Sequence, residues 1–246
     1  MKRILFLEGY AGISGDMTVG ALLDLGADQE KLRKTLEKLP VTGYELQIRE
    51  KNQKGFRGCD FQVALEEKEH AHEHRRYADI RKMLEEAEIA QEVKGLALAI
   101  FEVAARAGGS VHGIPQEQVA FHEVGAVDSI VDIVSAAFCV CDLGVDEVIV
   151  SELWEGCGMI GCRHGQIPVP APATAEILKA SRLPVRLTNV RGEMITPTGA
   201  AIAAALKTRE KGEEACRIEK IGIGFGKREF PHVSMLRAMI LIQEGD

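Results

Sequence analysis

KRILFLEGYAGISGDMTVGALLDLG, residues 2–26, decides the fold. Lys2 to Leu7 is a short, branched, apolar run that stops at Gly9, and such a run reads as a buried strand. Met17 to Leu25 carries apolar residues at helical spacing and closes at Gly26, a helix end. The glycine-rich stretch between them is too polar to be core. A strand, a loop and a helix in that order open a layered α/β (or α+β) fold, a mixed sheet packed with helices.

Outward from this unit, Tyr44 to Glu50 and Cys59 to Leu65 alternate as two strands, and the turn-rich Asn52 to Gly58 predicts a hairpin. Residues 66–76, EEKEHAHEHRR, offer only Ala71 for burial and predict a flexible, solvated, His-containing loop. Tyr77 to Ala87 and Gln91 to Ala107 have helical periodicity, with Gly108 and Gly109 as the expected stop. Ala126 to Leu143 is apolar on nearly every side and predicts an interior helix. Val145 to Val150 reads as a buried strand. Residues 156–174, GCGMIGCRHGQIPVPAPAT, mix glycine and proline and predict a long ordered loop in extended or polyproline form. Helices over Ala173 to Ser181 and Pro197 to Lys207 and strands over Val185 to Thr188, Glu219 to Phe225 and Met235 to Ile242 complete the reading. The 246 residues fit one region, with possible subdomains at 1–65 and 77–246.

Composition narrows the function classes. Hydrophobic residues at 46% and charged residues at 27% exclude a disordered or fibrous chain. A net charge of −7 disfavours a nucleic-acid surface and favours divalent cations as partners. No apolar run approaches the roughly 18 residues of a membrane span. Glu8 interrupts the opening apolar run, so export is not expected, and six cysteines in such a chain read as reduced thiols of a cytoplasmic protein.

Four clusters carry possible chemistry. The loop EGYAGISGDM, residues 8–17, offers Gly12, Ser14 and Gly15 as an anion-binding turn before a helix, with Asp16 facing a phosphate or its cation. It lacks the lysine of a phosphate loop, and Asp16 also reads as a simple helix N-cap. In VAFHEVGAVDSIVDI, residues 119–133, His122 and Glu123 precede Asp128, and Asp132 follows four residues later on the same helix face. Buried carboxylates need a cation, a proton or hydrogen bonds, so His122, Glu123 and Asp128 are candidates for a metal or acid/base cluster. His70, His72 and His74 alternate in the solvated loop and can gather a borderline metal. Cys162 and His164, with Cys157, form a weaker soft-metal pattern. Two structural motifs remain. TPTG, with Thr196, Thr198 and Gly199, reads as a capped helix start that can hold a phosphate. GIGFGKR, residues 222–228, reads as a strand bare of side chains on one face, ending in Lys227 and Arg228, which can neutralise a phosphate.

Taken in order, FLEGYAGISGDM, the histidine loop, FHEVGAVDSIVDI, CRHGQIPVPAPAT, EMITPTGAA and EKIGIGFG resemble the nickel insertion proteins of the nickel-pincer cofactor pathway. The resemblance implies a lyase-class nickel chelatase that inserts nickel into pyridinium bisthiocarboxylic acid mononucleotide in a CTP-dependent reaction, forming nickel–sulfur and nickel–carbon bonds for lactate racemase-type enzymes. Within that reading, the chemistry of the residues themselves makes His70, His72, His74, His122, Glu123, Asp128, Cys162 and His164 the candidate nickel ligands and Asp16, His122, Glu123 and Asp128 the candidate catalytic residues. CTP and a manganese or magnesium ion belong to a C-terminal part, a separate polypeptide in some members. The expected partners are the mononucleotide, that polypeptide and further copies of the chain, with no nucleic acid and no membrane. Two other classes fit the residues alone: a non-catalytic nickel or zinc metallochaperone, and a phosphate-ligand binding module.

Overall fold

The computed structural model describes residues 1–65, 75–121, 127–162 and 165–244. The opening unit forms as expected: strand β1 (Lys2–Glu8) and helix α1 (Gly15–Asp24). Alternation along β1 sends Leu5 and Leu7 into the large core beneath the helices, while Ile4 and Phe6 join Ile149 and Met239 in a small cluster apart from it. Helix α2 (Gln29–Leu36) follows, capped by Asp28, whose carboxylate accepts the N–H groups of Glu30 and Lys31 at 3.0 Å each. Only Leu32 and Leu36 of α2 are buried, too few apolar residues to announce a helix in the sequence.

The hairpin is real and longer than its apolar core. Strands β2 (Tyr44–Gln53) and β3 (Phe56–Leu65) pair from Tyr44↔Leu65 to Gln53↔Phe56, turning at Lys54 and Gly55, which both have left-handed φ values of 51° and 89°. Strand β4 (Arg75–Arg76) pairs antiparallel with β5 (Ala120–Phe121), so the last two residues of the expected loop at 66–76 are in a ladder. Helix α3 (Tyr77–Glu86) is followed by α4 (Gln91–His112), which runs through Gly108 and Gly109 to a left-handed Gly113. The expected stop fails because helical glycine costs only about 1 kcal/mol and close packing favours it here: a Cβ on Gly108 would lie 2.8 Å from Val119 Cγ1.

Helix α5 (Val127–Leu143) is the buried helix foreseen, and β6 (Glu147–Val150) is the strand after it. Residues 156–174 are not one long loop. Strand β7 (Leu153–Cys157) enters the stretch, and β8 (Met159–Cys162) and β9 (Gly165–Pro168) pair as a hairpin, with proline only at the end of the ladder. Helix α6 (Pro172–Ser181), strand β10 (Val185–Arg191), helix α7 (Pro197–Leu206) and strands β11 (Arg217–Phe225) and β12 (Met235–Gln243) complete the chain.

The main sheet has six strands in the order β2-β3-β11-β12-β1-β6. It is mixed: β1 pairs antiparallel with β12 and parallel with β6, and β11 is antiparallel to β12. Helix α1 lies directly on the middle of this sheet. A Cβ on Gly224 would overlap the Met17 carbonyl, and one on Gly222 would overlap that of Ala21, so the bare strand seen in the sequence exists to receive a helix backbone. Helices α5 and α7 pack against α1 and against α4. No disulfide joins the six cysteines, and no helix among the described residues is long and apolar enough to cross a membrane.

Candidate functional site

The loop before α1 is fixed from both sides. Gly12 has φ +85°, and its N–H donates to the Gly9 carbonyl at 3.1 Å. Ile13 N–H donates to the Met194 carbonyl at 3.0 Å, and Thr196 N–H returns the bond to the Ile13 carbonyl at 3.1 Å. Thr196 caps α7 by accepting the Gly199 N–H at 3.0 Å, with Pro197 at the first helical position. Ser14, not Asp16, is the N-cap of α1. Asp16 sits one residue inside the helix, where its carboxylate accepts the Ser14 hydroxyl and the Met17 N–H, the latter at 2.9 Å. The correction is geometric: only the residue with extended backbone before the first turn can cap it, and Ser14 has φ −138° and ψ 172°.

Helix α5 reaches the same place. A Cβ on Gly15 would overlap Asp132 Oδ2, so the missing side chain is what lets the two helices approach there. Thr198 Oγ1 lies 3.5 Å from Ser129 Oγ, linking α7 to the first turn of α5. The starts of α1, α5 and α7 thereby open onto one cavity of about 690 Å³, whose lining includes Ser14, Gly15, Asp16, Asp128, Asp132, Thr196 and Thr198. Of the residues singled out in the sequence, Ser14, Gly15, Asp16, Asp128, Thr196, Thr198, Lys227 and Arg228 line it, while Gly12 and Gly199 pack behind, on Met194 and on Ile13.

Three aspartates on one wall perturb one another. Burial pushes Asp132 well above the usual carboxylate range, Asp16 and Asp128 push it further, and Lys227 draws it back. Burial also raises Asp16, against the Ser14 hydroxyl bond and Lys227, and raises Asp128, against backbone N–H bonds at the start of α5. Asp128 Oδ1 is buried and has no hydrogen-bond partner in the structure. The wall is therefore a proton acceptor and a cation acceptor in waiting. Among the described residues, however, no group of three or more His, Cys, Asp or Glu side chains is placed to hold a metal ion.

His122, Glu123, His70, His72, His74 and His164 lie outside the described residues. Cys162 ends β8 opposite Gly165 and does not line the cavity. The structure also adds residues that no motif marked. Glu155, fully buried in β7, accepts the N–H groups of Gly156 at 2.7 Å, Met194 at 2.7 Å and Ile195 at 3.2 Å on one oxygen, clamping the strand to the segment that holds Ile13. Its one sequence signal is an acidic residue inside LWEGC, a run otherwise suited to burial. The cavity lining also carries Lys227 and Arg228, the cations expected from GIGFGKR, together with Phe230, which no motif marked. Lys227 pairs with Asp60, and Arg228 with the Glu193 carboxylate at 2.9 Å.

With this geometry in hand, comparison with known proteins is informative. The family model described as nickel insertion protein matches residues 5–246. A protein of Alkaliphilus metalliredigens named pyridinium-3,5-bisthiocarboxylic acid mononucleotide nickel insertion protein is 46% identical, over 98% of this chain and 61% of its own length. One of the same name from Akkermansia muciniphila is 45% identical over the same shares. A putative nickel insertion protein of Geotalea daltonii is 44% identical over 97% of this chain and 60% of its own. The chain spans about 61% of the length of these curated relatives. No solved structure matches it. By the extent of both matches, the chain belongs to the nickel insertion protein family.

Proposed function

We propose that the chain is the metal-handling part of a cytoplasmic enzyme that inserts nickel into pyridinium-3,5-bisthiocarboxylic acid mononucleotide. Nickel is the cargo. CTP and its manganese or magnesium ion act through the remaining part of the enzyme, as a C-terminal polypeptide, and copies of the chain associate. The names of the relatives support the substrate. The observation that carries the chemistry is the wall of Asp16, Asp128 and Asp132 on one cavity.

Forming a nickel–carbon bond on the ring replaces a C–H bond, so a proton must leave as the metal arrives. A general base works best when its pKa lies near the working pH, and burial moves all three aspartates in that direction. Asp128, with one oxygen buried and unpartnered, is the proposed base, and Asp16 and Asp132, whose protons burial retains, release them as the incoming cation arrives. His122 and Glu123, six and five residues before Asp128, are proposed as nickel ligands beside it.

The test is an insertion assay with nickel, CTP, the thiolated mononucleotide and the C-terminal polypeptide, read by the absorption change on metallation. Asp128→Asn should slow insertion by roughly 100-fold or more, the usual contribution of a general base, and leave the metal-free fold as stable as before. Normal rates for Asp128→Asn and His122→Ala together would move the chemistry elsewhere. The chain alone, lacking a lysine-bearing phosphate loop, should release neither CMP nor pyrophosphate from CTP.

A further inference from the structure

The segment between β11 and β12 is a built arm. It leaves the sheet at Gly226, returns at Ser234, and is closed at its base by the Gly226 N–H to Ser234 carbonyl bond of 2.9 Å. Its far side is held by one cation: Lys54, at the β2–β3 turn, donates from Nζ to the carbonyls of Phe230, Pro231 and His232 at 3.3, 3.4 and 3.4 Å. Lys227, Arg228 and Phe230 of the arm all line the cavity, facing a wall made of helix starts and aspartates.

Each of the three side chains is pre-set. Lys227 pairs with Asp60, which also has Lys51 at 4.0 Å, so Asp60 keeps a counter-ion if Lys227 turns to another anion. The Arg228 guanidinium is aimed by Glu193, through its carboxylate at 2.9 Å and its carbonyl at 3.2 Å. Both carboxylates are well covered while the two cations are 40% and 50% exposed, so the positive ends remain available to a ligand. The Phe230 ring is stacked on His232, with centroids 5.3 Å apart and planes 7° from parallel, and its edge lies on Gly192, where a Cβ would come within 3.2 Å of it. Burial holds His232 below its usual value, so the stack carries no positive charge at neutral pH.

A pyridinium mononucleotide presents two complementary groups, a cationic aromatic ring and a phosphate dianion. A fixed phenyl ring attracts the first, and a Lys–Arg pair the second. We infer that the arm Gly226–Ser234 is the substrate-recognition element of this cavity, with Lys227 and Arg228 holding the phosphate and Phe230 receiving the pyridinium ring. This rests on the substrate class proposed above. It orients the ring between the arm and Asp128, with the phosphate on Lys227, the cation that Asp16 and Asp132 already feel.

The test uses binding alone, without nickel or CTP. Calorimetric titration of the full chain compares pyridinium-3-carboxylic acid mononucleotide with its nucleoside, which lacks only the phosphate. The wild type should prefer the mononucleotide by roughly tenfold or more. Lys227→Gln with Arg228→Gln should remove that preference and leave nucleoside affinity within about twofold. Lys227→Gln alone, with Asp60 still paired to Lys51, should remove part of it with an unchanged melting temperature. Phe230→Leu should weaken both ligands alike, by roughly fivefold. A preference that survives the double substitution overturns the inference, as does a wild type that binds both ligands equally. An equal loss of both ligands in the double variant overturns the phosphate assignment. None of these outcomes alters the insertion assay with Asp128→Asn, which judges the proposed function separately.

Discussion

The two ends of α1 are built from similar sequence and do opposite things. Along its body, Gly20 meets the Cα of Gly224, and Gly222 lies under Ala21 and Leu25, so helix and strand touch backbone to backbone, and the Asp24 carboxylate is spent on the Ile223 N–H at 2.9 Å. At its start, Gly12 and Gly15 also admit close neighbours, but Ser14, Asp16, Asp128 and Asp132 surround the contact and a cavity opens. Glycine patterns therefore report close approach, and the polar residues beside them decide whether the approach serves packing or chemistry. Beside residues 222–225 the one carboxylate, Asp24, is occupied by the Ile223 N–H, whereas beside residues 14–16 the carboxylates of Asp16, Asp128 and Asp132 line a cavity.

Substitutions at the two ends should separate these roles. Gly224→Ala places a Cβ on the Met17 carbonyl, which cannot turn aside, and should cost about 3 kcal/mol or more. For a chain of this length that is a fall of roughly 10 °C in melting temperature, measured by thermal denaturation, with insertion activity per folded molecule retained. Gly15→Ala collides instead with a side chain, Asp132, which can shift. A loss of only about 1–2 kcal/mol is expected, accompanied by a larger loss of insertion activity. If Gly15→Ala is active and Gly224→Ala is stable, the contrast between the ends is wrong.

A smaller effect, of opposite sign, tests the aspartate wall. Asp132 holds its proton in the folded protein to a pH well above its ordinary 3.8, so the folded state binds more protons than the unfolded one there. Stability from this group accordingly falls as pH rises from about 4 through the raised value, and the penalty persists above it. Asp132→Asn should raise stability at pH 7 to 8, and the gain should vanish near pH 4. A pH-independent gain would mean that the wall is not strained by charge. Insertion activity should run the other way, rising with pH as the wall ionises. The smallest effect belongs to the histidine run: His70, His72 and His74 replaced by Ala should change stability by less than about 0.5 kcal/mol while lowering the nickel retained after dialysis.

Much of this was legible in the residues. Period-two alternation marked β2 and β3, a branched apolar run marked β1, and helical spacing marked α1, α3 and α4, because each has a face against the main core. What escaped was decided by distant partners. Helix α2 buries only two leucines, the β8–β9 ladder is only four residues a side, and α4 continues through Gly108, against which Val119 lies, and Gly109, which the Ile114 carbonyl approaches. The site divided similarly. GISGDM, Asp128 and TPTG were visible as local patterns, since a helix start is made by neighbours in sequence. Glu155 and Phe230 were not, because the first matters through Met194 and Ile195 and the second through Gly192 and His232, contacts that spacing does not encode.

The position of β1 has a consequence for the protein's birth. Lys2 pairs with Gln243 and Glu8 with Arg237, so β1 waits for a strand 229 residues further along the chain before its second edge is filled. During that interval α1 has no glycine strip to lie on, and an apolar strand is left with an open edge. Such long-range pairing makes for late, slow folding. The cavity, which needs both Asp16 and Lys227, assembles only when that pairing is made, so a chain in which β12 has not yet docked has no such cavity.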